Sequence, residues 1–338
     1  MSESARTARG LTPGGVLKKL FSDYSYLVSF ILIIGIAVSV NSNFFSWRNI
    51  STLFRQSATT TGMIALGMTM VICAGMIDIS VGAQVAILSG FGIEVLNATG
   101  NIWVMLAFCL AGGAMIGGLN GTLVAYGRMP AMIATLAVQT SCRAIVNHFG
   151  QGGPFSVAGG MSSQPFYQEF RNVANGAFEV FGQRVPYPMV IFILMGLLFG
   201  VIMQRTRLGK HIYAVGSNAN SARLAGVNVN LIKVSVFTIT GILCGFTSWL
   251  YSSSLMAVAS ASAGNLFEMD AIAAVAIGGT AMSGGRGKII GSFLGVLMFK
   301  IISNTLVAAK VPTFLTGAIS GAIIILAVLL QNVRGNRK

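Results

Sequence analysis

Acidic side chains within the apolar parts of this sequence are the first candidates for chemistry, because a carboxylate surrounded by lipid is costly. Asp78 lies at a glycine-rich break between two apolar stretches, and Glu268 and Asp270 open a later stretch. A carboxylate at a helix N-terminus is favoured by backbone amides and by the positive end of the helix dipole. We therefore expect Asp78 to cap a helix that begins near Ser80. Glu268 and Asp270 are expected to cap a later helix in the same way.

Catalysis and metal binding each need residue combinations that this sequence lacks. The two histidines, His148 and His211, are far apart, and neither H-E-x-x-H nor G-x-S-x-G occurs. The four cysteines stand singly in apolar stretches, without the paired spacing of a metal or redox site. The run G-G-R-G-K at 284–288 lacks the spacing of a phosphate-binding loop. We expect no catalytic residue, no metal site and no cofactor bound by this chain.

A polar stripe along one predicted helix is a candidate path for a neutral, hydroxyl-rich solute. Thr135, Gln139 and Arg143 recur every four residues, so they lie along one face, and Met132 lies close to it. The amide of Gln139 and the hydroxyl of Thr135 can each donate and accept hydrogen bonds. The alternative is that these side chains form hydrogen bonds between helices, and the sequence leaves both possibilities open.

A polar segment rich in small residues predicts a short helix between two apolar runs. Ser217 or Asn218 can cap this helix, which would end near Leu224 and be closed by Gly226. Its alanines would let a partner surface approach closely, while Arg223 would supply a charge. The candidate docking residues are Gly216, Ser217, Asn218, Ala219, Ala222, Arg223, Leu224 and Gly226. A solvated loop that only keeps positive charge on one side is the alternative.

Composition indicates that lipid surrounds the elements that position these residues. Apolar residues make up 54% of the 338 and charged residues 9%, with a mean hydropathy of +0.77. Long apolar runs without period-two alternation favour helices over a barrel, so we predict an all-α polytopic membrane protein. Ten segments are suited to spanning helices: 26–44, 57–75, 79–97, 103–125, 130–149, 187–204, 232–252, 268–283, 289–307 and 312–330.

The distribution of positive charge predicts the orientation of these ten helices, whose even number places both termini on one side. If that side is the cytoplasm, 15 of the 22 Lys and Arg residues are cytoplasmic, as the positive-inside rule requires. The formal charge of +14 is scattered between apolar runs, so nucleic acid is not an expected partner. We expect a cytoplasmic leader at 1–25, a transmembrane domain at 26–330 and a cytoplasmic tail at 331–338. Two long connections stand out: an external loop at 150–186 and a cytoplasmic loop at 205–232.

Four motifs follow one another along the chain. In chain order they are A-L-G-M-T-M-V-I-C-A-G-M-I-D-I-S-V-G (65–82), G-R-M-P-A-M-I-A-T-L (127–136), R-L-G-K-H-I-Y-A-V-G-S-N-A-N-S-A-R-L-A-G-V (207–227) and E-M-D-A-I-A-A-V-A-I-G-G-T-A-M-S-G-G-R-G (268–287). Together they resemble the motifs of the ribose, xylose and galactose permeases of bacterial ABC importers, and the resemblance extends over residues 45–330. Met76 and Ile79 depart from the family's usual G-G-I-D-L-S-V-G wording, and Ala131 and Met132 replace its Pro-Phe pair.

The resemblance implies a transport subunit of an ATP-driven importer rather than an enzyme. The implied cargo is a monosaccharide such as ribose, or a related sugar or polyol, carried across a bacterial inner membrane. The implied partners are membrane lipid, a second permease subunit (identical or not), a periplasmic sugar-binding protein, and a cytoplasmic ATPase whose paired cassettes hold ATP and Mg²⁺. By the same resemblance, residues 216–226 form the coupling helix that sits in the ATPase.

Two other classes of protein would share some of these features. An ion-coupled secondary sugar transporter also has broken helices, but the scarcity of acids within the apolar segments and the long docking segment argue against it. An intramembrane enzyme would need a nucleophile with its base, or metal ligands, and the sequence offers neither. Transport by this chain alone would favour the first alternative, and loss of an activity on mutating one buried polar pair would favour the second.

Overall fold

The computed structural model of the chain describes residues 25–157 and 164–312, with six further positions between 315 and 322. Its helices are α1 (Ser25–Val40), α2 (Trp47–Thr59), α3 (Gly62–Cys73), α4 (Val81–Thr99), α5 (Ile102–Ala125), α6 (Ala131–Gly150), α7 (Pro165–Asn175), α8 (Tyr187–Arg205), α9 (Arg207–Ser217), α10 (Ala219–Leu224), α11 (Val229–Leu255), α12 (Phe267–Ile277) and α13 (Ile289–Ala308). The strands are β1 (Pro154–Ser156), β2 (Ala177–Val180), β3 (Gln183–Pro186) and β4 (Ala257–Ala259). Almost all of the predicted leader, most of the tenth predicted segment and the whole predicted tail lie outside the described residues.

The architecture is that of an all-α membrane protein. Five described helices are long and apolar enough to cross a membrane, namely α4, α5, α8, α11 and α13. The helix α3 and residues 29–40 of α1 are apolar but shorter. Nine of the ten predicted apolar segments coincide with a described helix, so the hydropathy pattern located the helices correctly over this part of the chain.

Two of the predicted spans are shorter than expected, and each ends before a glycine in the left-handed region. The segment predicted at 57–75 begins with the last residues of α2, and α3 occupies only Gly62–Cys73, before Gly75, whose φ is +81°. The segment predicted at 268–283 ends at Ile277, before Gly279, whose φ of +84° favours glycine. At about 1.5 Å per residue, α3 and α12 are about 18 and 17 Å long, well below a hydrocarbon core of about 30 Å.

The loop predicted at 150–186 is folded, and it adds short strands to the helical architecture. Strands β2 and β3 form a hairpin, and β1 pairs antiparallel with β4, which follows α11. The amphipathic helix α2 packs beside this segment, because the indole nitrogen of Trp47 donates to the carbonyl of Arg184 at 2.7 Å. Arg55 on the same helix donates to the side-chain oxygen of Asn175 at 2.7 Å.

Helices α5 and α11 form the closest helix pair in the core, and glycine makes their approach possible. A β-carbon at Gly241 would overlap the carbonyl of Gly113, and one at Gly245 would overlap the carbonyl of Cys109. Two turns beyond Gly113 on α5, a β-carbon at Gly121 would lie 2.6 Å from the Cα of Val234. Small residues spaced by four let helix backbones touch where lipid gives no hydrophobic drive to pack.

Candidate functional site

The docking segment predicted from the sequence forms the short helix α10. Asn218, not Ser217, is its N-cap, because the Asn218 side-chain oxygen accepts the amide of Ser221 at 2.9 Å. The amide of Asn218 also donates to the carbonyl of Ala214 at 3.0 Å and so ends α9. The turn after α10 contains Gly226 with a φ of +84°. One asparagine therefore joins α9 directly to α10, and the prediction of a capped short helix is confirmed.

The outer face of α10 presents an apolar side chain to solvent. Leu224 is 91% exposed, and Arg223 beside it is exposed as well. Ala222 departs from the prediction that it would meet a partner, because its side chain is only 5% exposed and packs within the protein. The helix α10 therefore has an inner face that packs within the protein and an exposed outer face.

The end of α9 is wedged between the two glycine-rich breaks that follow α3 and α12. The amide of Gly285 donates to the carbonyl of Cys73 at 2.9 Å, which joins the two breaks. A β-carbon at Gly216 would overlap that same carbonyl, and one at Gly284 would lie 2.8 Å from the Cα of Gly75. We call these contacts the glycine joint, defined by residues 73–75, 216 and 284–287. Its three backbones touch without intervening side chains, so displacement of one must move the others.

Tyr213 ties α9 to the same joint one turn earlier. Its hydroxyl donates to the carbonyl of Gly287 at 2.8 Å, and its ring is half-buried. Burial raises the pKa of Tyr213 to about 12, so the hydroxyl keeps its proton and remains a donor throughout the neutral range. No sequence pattern predicted this contact, because residues 213 and 287 are distant along the chain.

Asp78 lies in a buried polar cluster at the start of α4. One of its carboxylate oxygens accepts the amide of Ser80 at 2.9 Å and the hydroxyl of Ser80 at 2.6 Å. The Ser80 hydroxyl in turn accepts from the side-chain amides of Gln84 and Asn120, each at 2.8 Å. Ser80, not Asp78, occupies the N-cap position of α4, and no side chain caps the helix there, so the predicted capping by Asp78 is wrong; Asp78 holds the N-cap residue instead. The cluster joins α4 to α5 through Asn120.

Glu268 and Asp270 lie in the first turn of α12, but neither caps it. The N-cap position is Leu266, and no side chain accepts a bond there, so the predicted capping is wrong. The Glu268 carboxylate instead accepts its own backbone amide and lies near the Arg143 guanidinium. Asp270 lies near the ammonium of Lys300 on α13. Attraction to cations on neighbouring helices, added to the favourable helix dipole, explains why these acids are tolerated at this position.

The four residues predicted for a solute path do not share one exposed face. Thr135 is fully buried, where it donates to the carbonyl of Ala131 and accepts the amide of Ile79, so its bonds fit the interhelical alternative. Met132 is 54% exposed and faces outward. An offset of three residues turns a helical side chain by about 60° from the stripe, which accounts for this difference.

Gln139 and Arg143 are half-buried, near the middle and in the second half of α6. Arg143 donates to the backbone carbonyl of Ala263, and the side chain of Tyr251 forms a hydrogen bond with the backbone of Gly264. A β-carbon at Gly82 would overlap the carbonyl of Gly264, so α4 also touches this loop. The loop between β4 and α12 is therefore held by α4, α6 and α11. No sequence signal pointed to Tyr251 or Ala263, because their role depends on the folded loop.

Among the described residues, no group of three or more His, Cys, Asp or Glu side chains could hold a metal ion. The described cysteines are buried and unpaired by disulfides. Apolar helices long enough to cross a membrane, two broken helices that meet and a short exposed helix place the chain in the class of polytopic helical membrane proteins.

The comparisons with known proteins identify the family. The model for "Branched-chain amino acid transport system / permease component" matches residues 49–328, and the chain belongs to this family of permease components. The chain is similar to the ribose import permease protein RbsC of Bacillus subtilis, at 34% identity over 94% of each chain. RbsC of Haemophilus influenzae is 33% identical over 92% of this chain and 93% of its own. The xylose transport system permease protein XylH of Escherichia coli is 32% identical over 87% and 89%.

These matches confirm the family predicted from the four motifs and show that the chain is a transport component rather than an enzyme. No solved structure matches the chain.

Proposed function

We propose that this chain is the membrane-spanning subunit of an ATP-driven importer of ribose, or of a related sugar or polyol, in a bacterial inner membrane. The observation that carries the proposal is the arrangement around α10. This helix exposes Leu224 on one side and connects through Asn218 to the glycine joint on the other. Relatives named as ribose and xylose permeases support a sugar as the cargo.

The proposed complex contains a second permease subunit, a periplasmic sugar-binding protein and a cytoplasmic ATPase that holds ATP and Mg²⁺ in paired cassettes. The proposed topology has ten spanning helices with both termini in the cytoplasm, which places α9, α10 and the glycine joint on the cytoplasmic side. On the other side, the folded segment with the β2–β3 hairpin faces the binding protein. Phe181 at the hairpin tip is fully exposed and offers that partner an apolar contact.

The proposed coupling is mechanical. Closure of the ATPase cassettes displaces α10, and α9 transfers the displacement to the ends of α3 and α12, because all three backbones touch at the glycine joint. Both α3 and α12 are short and end at a glycine break within their predicted spans, so each can tilt without moving a complete spanning helix. Gln139 and Arg143, together with Glu268, are the proposed polar contacts of the sugar at the outer end of the path. Asp78 has a structural role at the start of α4.

The test is uptake of labelled pentoses and hexoses into liposomes that contain this chain. The complete system of chain, cassette ATPase, ATP and binding protein should accumulate one of these sugars, and omission of any part should abolish accumulation. Accumulation by this chain alone under an imposed proton or sodium gradient would contradict the proposal and establish an ion-coupled secondary transporter instead.

A further inference from the structure

A positively charged cleft opens where α5, α6, α10 and α11 come together. Its volume is about 870 Å³, and it extends along the end of α5 and the beginnings of α6 and α11. Its polar lining residues are Arg128, Arg223, Lys233, Asn228 and Asn230. None of the lining residues is acidic, so three cations face one space without a carboxylate to balance them.

Two helix N-termini and the C-terminal end of α5 also meet at the cleft, so their opposite dipole ends partly offset each other and the basic side chains supply most of the positive charge. Pro130, which lines the cleft, immediately precedes α6, and Val229 and Asn230 in its wall are the first residues of α11. These helices have 20 and 27 residues, and the first turn of such a helix carries partial positive charge. Phosphate groups commonly bind where helix N-termini and basic side chains converge.

The backbone of Arg128 adopts a conformation in which glycine is favoured. Arg128 follows α5 with a φ of +54°, in the left-handed region that often ends a helix. An arginine at this position adds a third cation to the lining that contains Arg223 and Lys233.

The remaining wall of the cleft is apolar. Val124, Met129 and Val227 line it, and it lies at the end of α5, one of the helices long and apolar enough to cross a membrane. A soluble phosphate would gain nothing from these side chains, whereas a phospholipid could place its phosphate among the cations and its first acyl carbons against the apolar wall. Basic pockets between helices at the membrane surface bind anionic headgroups in this way.

We propose that this cleft binds the phosphate of an anionic phospholipid headgroup. The lipid would fill the angle between α10 and the ends of the spanning helices, so it would also support the segment to which we assign ATPase docking. The lipid site itself does not depend on the proposed function, because it requires only the cleft, its charge and a nearby leaflet.

The experiment measures binding of dioctanoyl phosphatidylglycerol to the purified full-length chain in a neutral detergent, with phosphatidylcholine and inorganic phosphate as comparison ligands. Lys233→Gln and Arg128→Gly each remove one cation from the cleft, and each should weaken phosphatidylglycerol binding about five-fold. Arg128→Gly also relieves the left-handed strain, so this variant should fold at least as well as the parent chain. Lys210→Gln is the matched control, because Lys210 is exposed, lies outside the glycine joint and does not line the cleft.

Weaker phosphatidylglycerol binding by the two cleft variants, with unchanged binding by the control, supports the proposal. Equal binding by all variants would overturn it, since the lipid would then be attracted by net charge alone. Inorganic phosphate that binds as tightly as the lipid would overturn the lipid assignment and identify a soluble anion as the ligand. If the parent chain binds no anionic lipid and Arg128→Gly instead weakens association with the ATPase, the cleft is a protein interface and the proposal is wrong.

Discussion

Replacing Gly121 by alanine should separate the two helices that form the core of this protein. The new β-carbon would lie 2.6 Å from the Cα of Val234, whereas two carbon atoms in contact need about 3.5 Å or more. Because the obstacle is backbone, α5 and α11 must move apart by nearly 1 Å at this point. Overpacking of this kind costs about 1–3 kcal/mol.

Gly118→Ala on the same helix is the matched control. A β-carbon at Gly118 meets only the Thr238 hydroxyl, at 3.6 Å, which is an ordinary contact. Both variants gain the same helix propensity of alanine over glycine, about 1 kcal/mol, so this gain cancels in the comparison. We expect Gly121→Ala to be less stable than Gly118→Ala by about 2 kcal/mol. In a chain of this size, such a difference lowers the Tm by about 4 °C.

The assay is thermal unfolding of both variants in detergent, followed by intrinsic fluorescence and by the fraction that stays monodisperse. Equal Tm values for the two variants would refute the inference that backbone contact at Gly121 holds α5 against α11. A lower Tm for Gly118→Ala alone would place the contact on the other face of α5.

Three further predictions concern the buried cluster, the glycine joint and the docking helix. Asp78→Ala should lower the free energy of unfolding by about 2–3 kcal/mol, because the buried amide and hydroxyl of Ser80 lose their acceptor. Asp78→Asn keeps an acceptor oxygen and should lower it by less than about 1 kcal/mol. Chemical denaturation of the two variants measures the difference. Tyr213→Phe should reduce the sugar transported per ATP hydrolysed about five-fold, while ATP hydrolysis by the complete complex persists. Tyr126→Phe, at an exposed tyrosine, is the control. A proportional loss of transport and ATP hydrolysis would contradict a coupling role for Tyr213. Leu224→Ser should leave the Tm unchanged but weaken ATPase binding about ten-fold in a co-purification titration, and undiminished binding would exclude Leu224 from the interface.

The part of this protein that the sequence predicted correctly depends on local interactions. Nine helices were located from apolar runs, because the need to satisfy backbone hydrogen bonds in lipid makes each such run a helix. The short helix α10 was predicted from Asn218 and Gly226, because capping and the left-handed turn act over a few residues. The family followed from four motifs in order, and the comparisons confirm it.

The candidate site could be predicted only in part, since its decisive contacts join residues far apart in the chain. Periodicity placed Thr135 and Gln139 on one helical face, but whether that face met solvent or another helix depended on where α4 packed. The sequence predicted that Ala222 would contact a partner, but the side chain is buried where α10 packs against the rest of the protein. Capping by Glu268 was wrong because the chain turns at Leu266, a position that no local preference marked.

What the sequence by itself determined is therefore a helical membrane protein of a sugar-permease type, with a short capped helix between two apolar runs. Only the tertiary structure decided that the breaks after α3 and α12 meet at Gly216, and that Arg128 and Lys233 share one cleft. The physical reason is the range of the forces involved. Hydropathy and capping act within a few residues, whereas backbone contact between glycines and the summed potential of separate cations exist only once distant segments have packed together.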